Sequence, residues 1–355
     1  MRITRSALLA CLVQNSASFP RTFAFASTTA ASSRRNMSST QTETCATELL
    51  EDKSSSYKEL VTKLKLVTQL RRAEAVLDYD RTIFMPEQAA AERGAQLAAM
   101  AEVIHEKATD KKIGELIEAS LKDLDELISS GGDASFQEER KVLVLSKKAF
   151  MKNEKIPTEL ASRKAKLGSE SYGMWTKARA ASDFNMFQPY LKNCFDVAKE
   201  VASAQRDSDD IPLYTQMLDE FETGMSAQRI DEIFATIQEA LVPLISKVLV
   251  SSSPPSTDAL KGKFPVDKQQ EMNEKVVTAI GFDKDFGRID VSVHPFTTSF
   301  SPSDVRITSR FSEDEWYQGL AGSVHEAGHA MYEQVCYELD AIENLVLNAL
   351  SFGAP

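Results

Sequence analysis

Gly322-Ser323-Val324-His325-Glu326-Ala327-Gly328-His329-Ala330-Met331-Tyr332 reads GSVHEAGHAMY and contains H-E-x-x-H. On a helix, His325 and His329 are one turn apart, so both imidazoles face one ion from the same side. Glu326 cannot share that ligand position. In this motif the intervening carboxylate acts instead as general base toward the attacking water. The competing reading is two surface histidines beside a helical charge. The flanking residues supply the helix: Trp316, Leu320, Val324, Ala327 and Met331 form an apolar stripe at three- and four-residue steps. Ser312 as N-cap with Glu315 three residues later predicts a capping box at its start. Gly322 and Gly328 weaken a helix and are expected where another element comes close.

A catalytic zinc takes three protein ligands. Glu333 lies one turn beyond His329, about 12 Å along the axis from His325 at the usual helical rise, too far to share an ion with it. Glu338, Asp340 and Glu343 are the remaining downstream acids. Glu343 reads either as a ligand on a second helix or as part of that helix's solvated face. His105, with no acidic or histidine partner nearby, reads as structural or solvent-facing.

Working outward, helical periodicity dominates the 355-residue chain. Leu60, Leu64, Val67, Leu70 and Leu77 mark a first helix, interrupted from Tyr79, and Pro86 opens a second. Further periodic stretches cover 113–127, 138–151, 157–179, 189–204 and 227–250, and the helical pattern resumes at Asp267 after the breaker Ser251-Ser252-Ser253-Pro254-Pro255. Strand-like alternation is confined to 288–293 and 304–309, with His294-Pro295-Phe296 opening a hairpin connection between them. An exposed strand edge beside a metal can hold a peptide by main-chain pairing.

The formal net charge is −11, and residues 1–42 carry five arginines and no acid, so the remainder carries −16. That argues against nucleic acid and anionic membranes as partners. No apolar run approaches the ~20 residues of a membrane span. Cys11, Cys45, Cys194 and Cys336 are scattered and read as free thiols. The Arg-, Ser- and Ala-rich residues 1–45 read as a transit peptide or disordered leader, directing a mitochondrial location. The alternatives are a plastid leader, or a cytoplasmic protein translated from Met37.

With these residues in hand, the chain resembles the carboxypeptidase Taq family of metallocarboxypeptidases from about Tyr57 to Ala354. The family's H-P-F stands here as His294-Pro295-Phe296, its D-x-R-x-T as Asp304-Val305-Arg306-Ile307-Thr308, and its H-E-x-G-H-A-x-Y-E-Q as His325 through Gln334. Asp80 to Pro86 with Gln96-Leu97, and Trp175 to Arg179 with Asp183-Phe184, resemble two of its helical signatures.

The resemblance implies an all-α fold of long helices around a deep cleft, with a small β-hairpin or sheet next to the metal helix. It implies one zinc per chain, removal of C-terminal residues from peptides, and a homodimer. It carries over His325 and His329 as zinc ligands and Glu326 as general base. His294 and Arg306 are substrate-binding candidates, His294 toward the tetrahedral intermediate and Arg306 toward the terminal carboxylate. Loop packing is the competing role for His294, and an ion pair with Asp304 bracing the strands is that for Arg306.

In the family the segment like Leu347 to Ala354 runs into H-E-S-Q, whose Glu is the third zinc ligand. Here Pro355 stands in place of that His. The expectation is therefore a truncated member. Residues 46–355 would form the N-terminal and central part of the peptidase domain, with weak zinc binding, little activity and exposed apolar surface. Two other readings stay open: a catalytically dead helical interaction partner, and a zinc endopeptidase. H-P-F and D-x-R-x-T weigh against the latter.

Overall fold

Helix α1 (Ser55–Ile83) starts where the Ser54 hydroxyl accepts the Tyr57 N–H at 3.0 Å. In this computed structural model, residues 54–130 and 136–335 are described, together with Leu50 and Asp52. The α1 stripe of Tyr57, Leu60, Leu64 and Val67 is buried among three further helices. These are α2 (Ala90–Ala108), α3 (Lys111–Ser129) and α4 (Gln137–Asn153), which bring Ile104, Ile113, Ile117, Leu143 and Phe150 to the same core. His105 lies in α2, buried, with Nε2 2.7 Å from the Ile156 carbonyl, so it is a packing residue.

The break expected at Tyr79 falls later. Arg81 pairs with Asp78 and keeps the last turn wound, and the Asp80 carbonyl accepts from both Phe84 and Met85. The helix thus closes just ahead of Pro86, which has no N–H to continue it and disfavours a helical residue before it. Pro86 opens a short 3-10 turn before α2 begins.

Helices α5 (Thr158–Ala181) and α6 (Phe184–Gln205) share a second core of Ile156, Leu160, Val197 and Val201. Asp183 accepts the Asn185 N–H at 2.9 Å and starts α6 ahead of Pro189. The cap, and not the proline, sets that boundary. Next come α7 (Leu213–Leu218), α8 (Ala227–Leu249) and α9 (Val266–Ile280). No residue of α8 is buried, and Phe234, Leu241, Leu244, Ile245 and Val248 stand exposed along it. No described helix is long and apolar enough to cross a membrane.

The sheet contains β1 (Gly287–Val291), β2 (Thr297–Ser301) and β3 (Asp304–Ser309) in the order β1-β3-β2. Both alternating stretches form strands, but β1 and β3 pair in parallel, from Gly287 opposite Val305 to Val291 opposite Ser309. A tight turn cannot join parallel neighbours. The expected hairpin connection instead crosses over and supplies β2, which pairs antiparallel with the other edge of β3. Val305 and Ile307 then point to one face, where they meet Val277, Phe282, and Ala327 and Ala330 of α10 (Trp316–Val335). The expected capping box does not form. The Ser312 hydroxyl accepts the Asp314 N–H at 3.3 Å instead of the Glu315 N–H, the Glu313 and Ser312 carbonyls accept from Phe264 and Gln269, and the helix starts at Trp316.

On α1 the buried Glu74 lies near the half-buried Arg71 and the exposed Lys164 of α5. Burial, opposed by Arg71 and Lys164, raises the Glu74 carboxyl from the ordinary 4.5 to about 7. A folded-state pKa above the unfolded one means that the folded chain holds the extra proton between those values. Glu74 therefore contributes less stability as pH rises from about 4.5 to 7. Urea melts at pH 5 and pH 7.5 should show that loss, and Glu74→Gln should flatten it. In the same assay Leu64→Ala should cost about 2–5 kcal/mol. Leu241→Lys on α8 should change stability by less than about 0.5 kcal/mol.

Candidate metal centre and active site

The inner face of α10 carries Gly319, Ser323, Ala327 and Ala330, all buried, and none is larger than serine. This lets β2 and β3 approach its backbone closely. The face differs from the expected stripe at Val324, which is exposed. Gly322 borders the His294-Pro295-Phe296 loop: a Cβ there would lie 3.1 Å from Pro295 Cγ. The close approach expected at Gly322 is thus present, whereas Gly328 faces open space among the described residues.

Glu326 belongs to the inner face and is only 8% exposed. Thr297 of β2 donates its hydroxyl to Glu326 Oε2 at 2.8 Å and lies 3.0 Å from the Glu326 carbonyl, a shared donor that fixes the carboxylate. His325 and His329 face outward, His325 exposed and His329 half-buried. Their Nε2 atoms stand 3.2 Å apart. Two nitrogens on one tetrahedral zinc, each at the usual bond length, would be about 3.3 Å apart. The pair therefore fits one zinc as two of its donors. Among the described residues no cluster of three metal-ligating side chains forms. Glu338, Asp340 and Glu343 lie outside those residues. Among the described residues His325 is exposed and His329 half-buried, so the pair is reached from one side of α10. A concavity of about 910 Å³ lies between α3 and α4 beside Glu118, Arg140 and Lys147.

His294 is half-buried in the loop above the first turns of α10. Burial, followed by the nearby Arg179 and Arg310, pushes its imidazole below the usual range, which favours the neutral form near pH 7. Thr308 is the loop's anchor, a role the sequence reading missed. Its Oγ accepts the Ser292 hydroxyl at 2.8 Å and the Phe296 N–H at 2.9 Å, and its N–H donates to the Phe296 carbonyl at 2.9 Å. Thr297 was missed too, because it lies in a run rich in serine and threonine that carries no strand-like alternation.

Arg306 is not brought to the histidines. It alternates with Val305 and Ile307, so it points away from α10. There its fork binds Asp304 at 2.9 and 2.8 Å and lies over the Phe300 ring at 4.7 Å. This is the bracing arrangement with Asp304.

The carboxypeptidase Taq (M32) metallopeptidase family model matches residues 59–354. The chain belongs to this family. It is 33% identical over 289 residues to thermostable carboxypeptidase 1 of Thermus thermophilus, covering 79% of this chain and 55% of that one. It is 30% identical over 277 residues to carboxypeptidase 1 of Bacillus subtilis, covering 78% and 53%. The crystal structure of BsuCP superposes with a TM-score of 0.74 at 30% identity, over 79% of this chain and 55% of that one. The M32 carboxypeptidase of Deinococcus radiodurans R1 gives 0.65 at 31%, over 79% and 54%. The M32 chain described here thus spans about half the length of the curated relatives it matches.

Because the Thr308 bonds are buried, Thr308→Val should destabilise the fold by about 1–3 kcal/mol. Thr308→Ser, which keeps the hydroxyl, should lose far less in the same urea titration.

Proposed function

We propose that this chain carries the base and two metal donors of a zinc metallocarboxypeptidase that releases C-terminal residues from peptides. The carrying observation is the 3.2 Å approach of the two Nε2 atoms beside a buried, Thr297-held Glu326. A bound zinc would supply Lewis-acid polarisation of the scissile carbonyl and make water a usable nucleophile near neutral pH. Glu326 takes the proton of the attacking water on its carboxylate and later delivers it to the leaving amine nitrogen. Thr297 keeps that carboxylate aimed through both transfers. His294, held neutral, donates a hydrogen bond to the substrate from the loop above.

The third donor, on this proposal, comes from outside the described residues. The proposal extends to a homodimer, for which the apolar residues of α8 offer surface to bury. It also extends to a mitochondrial location directed by residues 1–45, which lie outside the described residues. The alternative of a helical interaction partner draws on that same α8 surface.

Dialysed protein should bind zinc, and His325→Ala or His329→Ala should abolish that binding. Glu326→Gln should leave zinc retention unchanged while cutting release of C-terminal amino acids by about 10²–10⁴. Tight stoichiometric zinc that survives His325→Ala would overturn the assignment of the donors.

A further inference from the structure

The outward side of α10 carries no charge, on a chain in which 26% of residues are charged. Of the helix's 20 residues, Glu326 and Glu333 are the two acids and none is Lys or Arg. Glu326 is turned inward against β2, and Glu333 is half-buried. The outward side presents Tyr317, Ala321, Val324, Gly328 and Tyr332, spaced four, three, four and four residues apart, and all five are exposed. Tyr332 is 55% exposed and Val324 38%. Residues at that spacing share one helix face, the pattern with which a helix meets another element. This stripe runs beside His325 and His329, each one residue on from Val324 and Gly328.

The imidazoles give a chemical reason for a partner on that side. Their Nε2 atoms are 3.2 Å apart. One edge of a tetrahedron drawn around zinc at ordinary Zn–N distances is about 3.3 Å long. The opposite edge lies perpendicular to it, and a two-fold axis through the ion exchanges the two. A second copy of the same pair therefore completes the tetrahedron by symmetry alone, the self-complementary arrangement of a two-fold dimer. No third His, Cys, Asp or Glu of the described residues joins the pair. A Cβ added at Gly328 would meet no described atom within 4 Å, so that turn of α10 is open to an approaching chain. Two chains of net charge −11 repel at long range, and a shared dication supplies attraction at the contact.

We propose that one zinc joins two copies of this chain through His325 and His329 of each, bringing the apolar stripes of the two α10 helices together beside the ion. Four imidazoles fill a tetrahedral zinc, so this form has the closed coordination of a structural site and leaves no position for water or a peptide carbonyl. The dimer is a resting form of the metal centre, and the third donor proposed above competes with the second copy's pair for the ion. The inference rests on the donor assignment made under the proposed function, not on hydrolysis. It is distinct from pairing through α8, which needs no metal.

The test is light scattering on the EDTA-treated 355-residue protein as zinc is added. The mass should about double, level off near one zinc per two chains, and fall back when EDTA is restored. His325→Ala and His329→Ala should each keep the starting mass at the same zinc concentration. Val324→Arg leaves both imidazoles in place but sets a cation on each stripe, so it should weaken the zinc-linked dimer about tenfold or more. Cobalt(II) added to the unaltered protein gives a check that needs no variant. The intense visible bands of a tetrahedral ion should grow in step with the mass, up to about half an equivalent. Several results would overturn the proposal: a mass that zinc leaves unchanged, a doubling that survives both histidine substitutions, a Val324→Arg dimer as tight as the parent's, or only the faint bands of octahedral cobalt. One zinc per chain on an unchanged mass, abolished by His325→Ala, would remove the dimer and leave the donor assignment standing. Absence of any zinc binding would remove both, so the two failures are distinguishable.

Discussion

The geometry of the site depends on how closely the sheet can approach one helix. The inner face of α10 is built from Gly319, Ser323, Ala327 and Ala330. A leucine at any of these positions would push β2 and β3 away by the length of its side chain. Close packing leaves no slack for such a change, since each added methylene in a filled core forces neighbours off their rotamers. With the face kept small, Thr297 comes within hydrogen-bond reach of Glu326, and Pro295 rests on Gly322. The base and the H-P-F loop are thus placed by the same contact that seals the local core of Val277, Phe282, Val305 and Ile307.

The two faces of β3 divide the labour. Val305 and Ile307 bind the sheet to α10, while Asp304, Arg306 and Thr308 work on the opposite side. There Arg306 and Asp304 neutralise each other under the rings of Phe300 and Tyr79, and Tyr79 in turn donates to Asp290 of β1 at 2.5 Å. Thr308 ties the crossover between β1 and β2 to the central strand. Period-two alternation therefore separates a packing set from a positioning set within six residues. A motif written as D-x-R-x-T names only the second set.

Much of this was readable before any coordinates. Helical periodicity located α1, α3, α4, α5, α8 and α9, because a buried face at three- and four-residue steps is a local signal. Alternation located β1 and β3 for the same reason. Partner choice was not readable. Nothing in 288–293 or 304–309 shows that these strands run parallel, and the strand that completes the sheet lay inside a stretch rich in serine and threonine. At Ser312 and Glu315 a good local capping signal lost to a tighter turn, in which the Ser312 hydroxyl accepts the Asp314 N–H. His325, Glu326 and His329 were found because their spacing is itself the mechanism. Thr297 and Thr308 act through contacts across more than ten positions of sequence, which no local pattern encodes.

A buried carboxylate beside two imidazoles also says something about stability. Taking Glu326 out of water is unfavourable unless its charge is met, and one threonine hydroxyl meets it only in part. The small inner face that permits this burial thus has an energetic cost in the metal-free chain, borne by the hydrophobic contacts of Ala327, Ala330 and Ile307 around it. Any cation held by the imidazoles would offset that cost, and binding to the folded state alone stabilises it by mass action. A cation bound by both imidazoles, which only the folded helix brings together, would for that reason stabilise the α10–sheet unit.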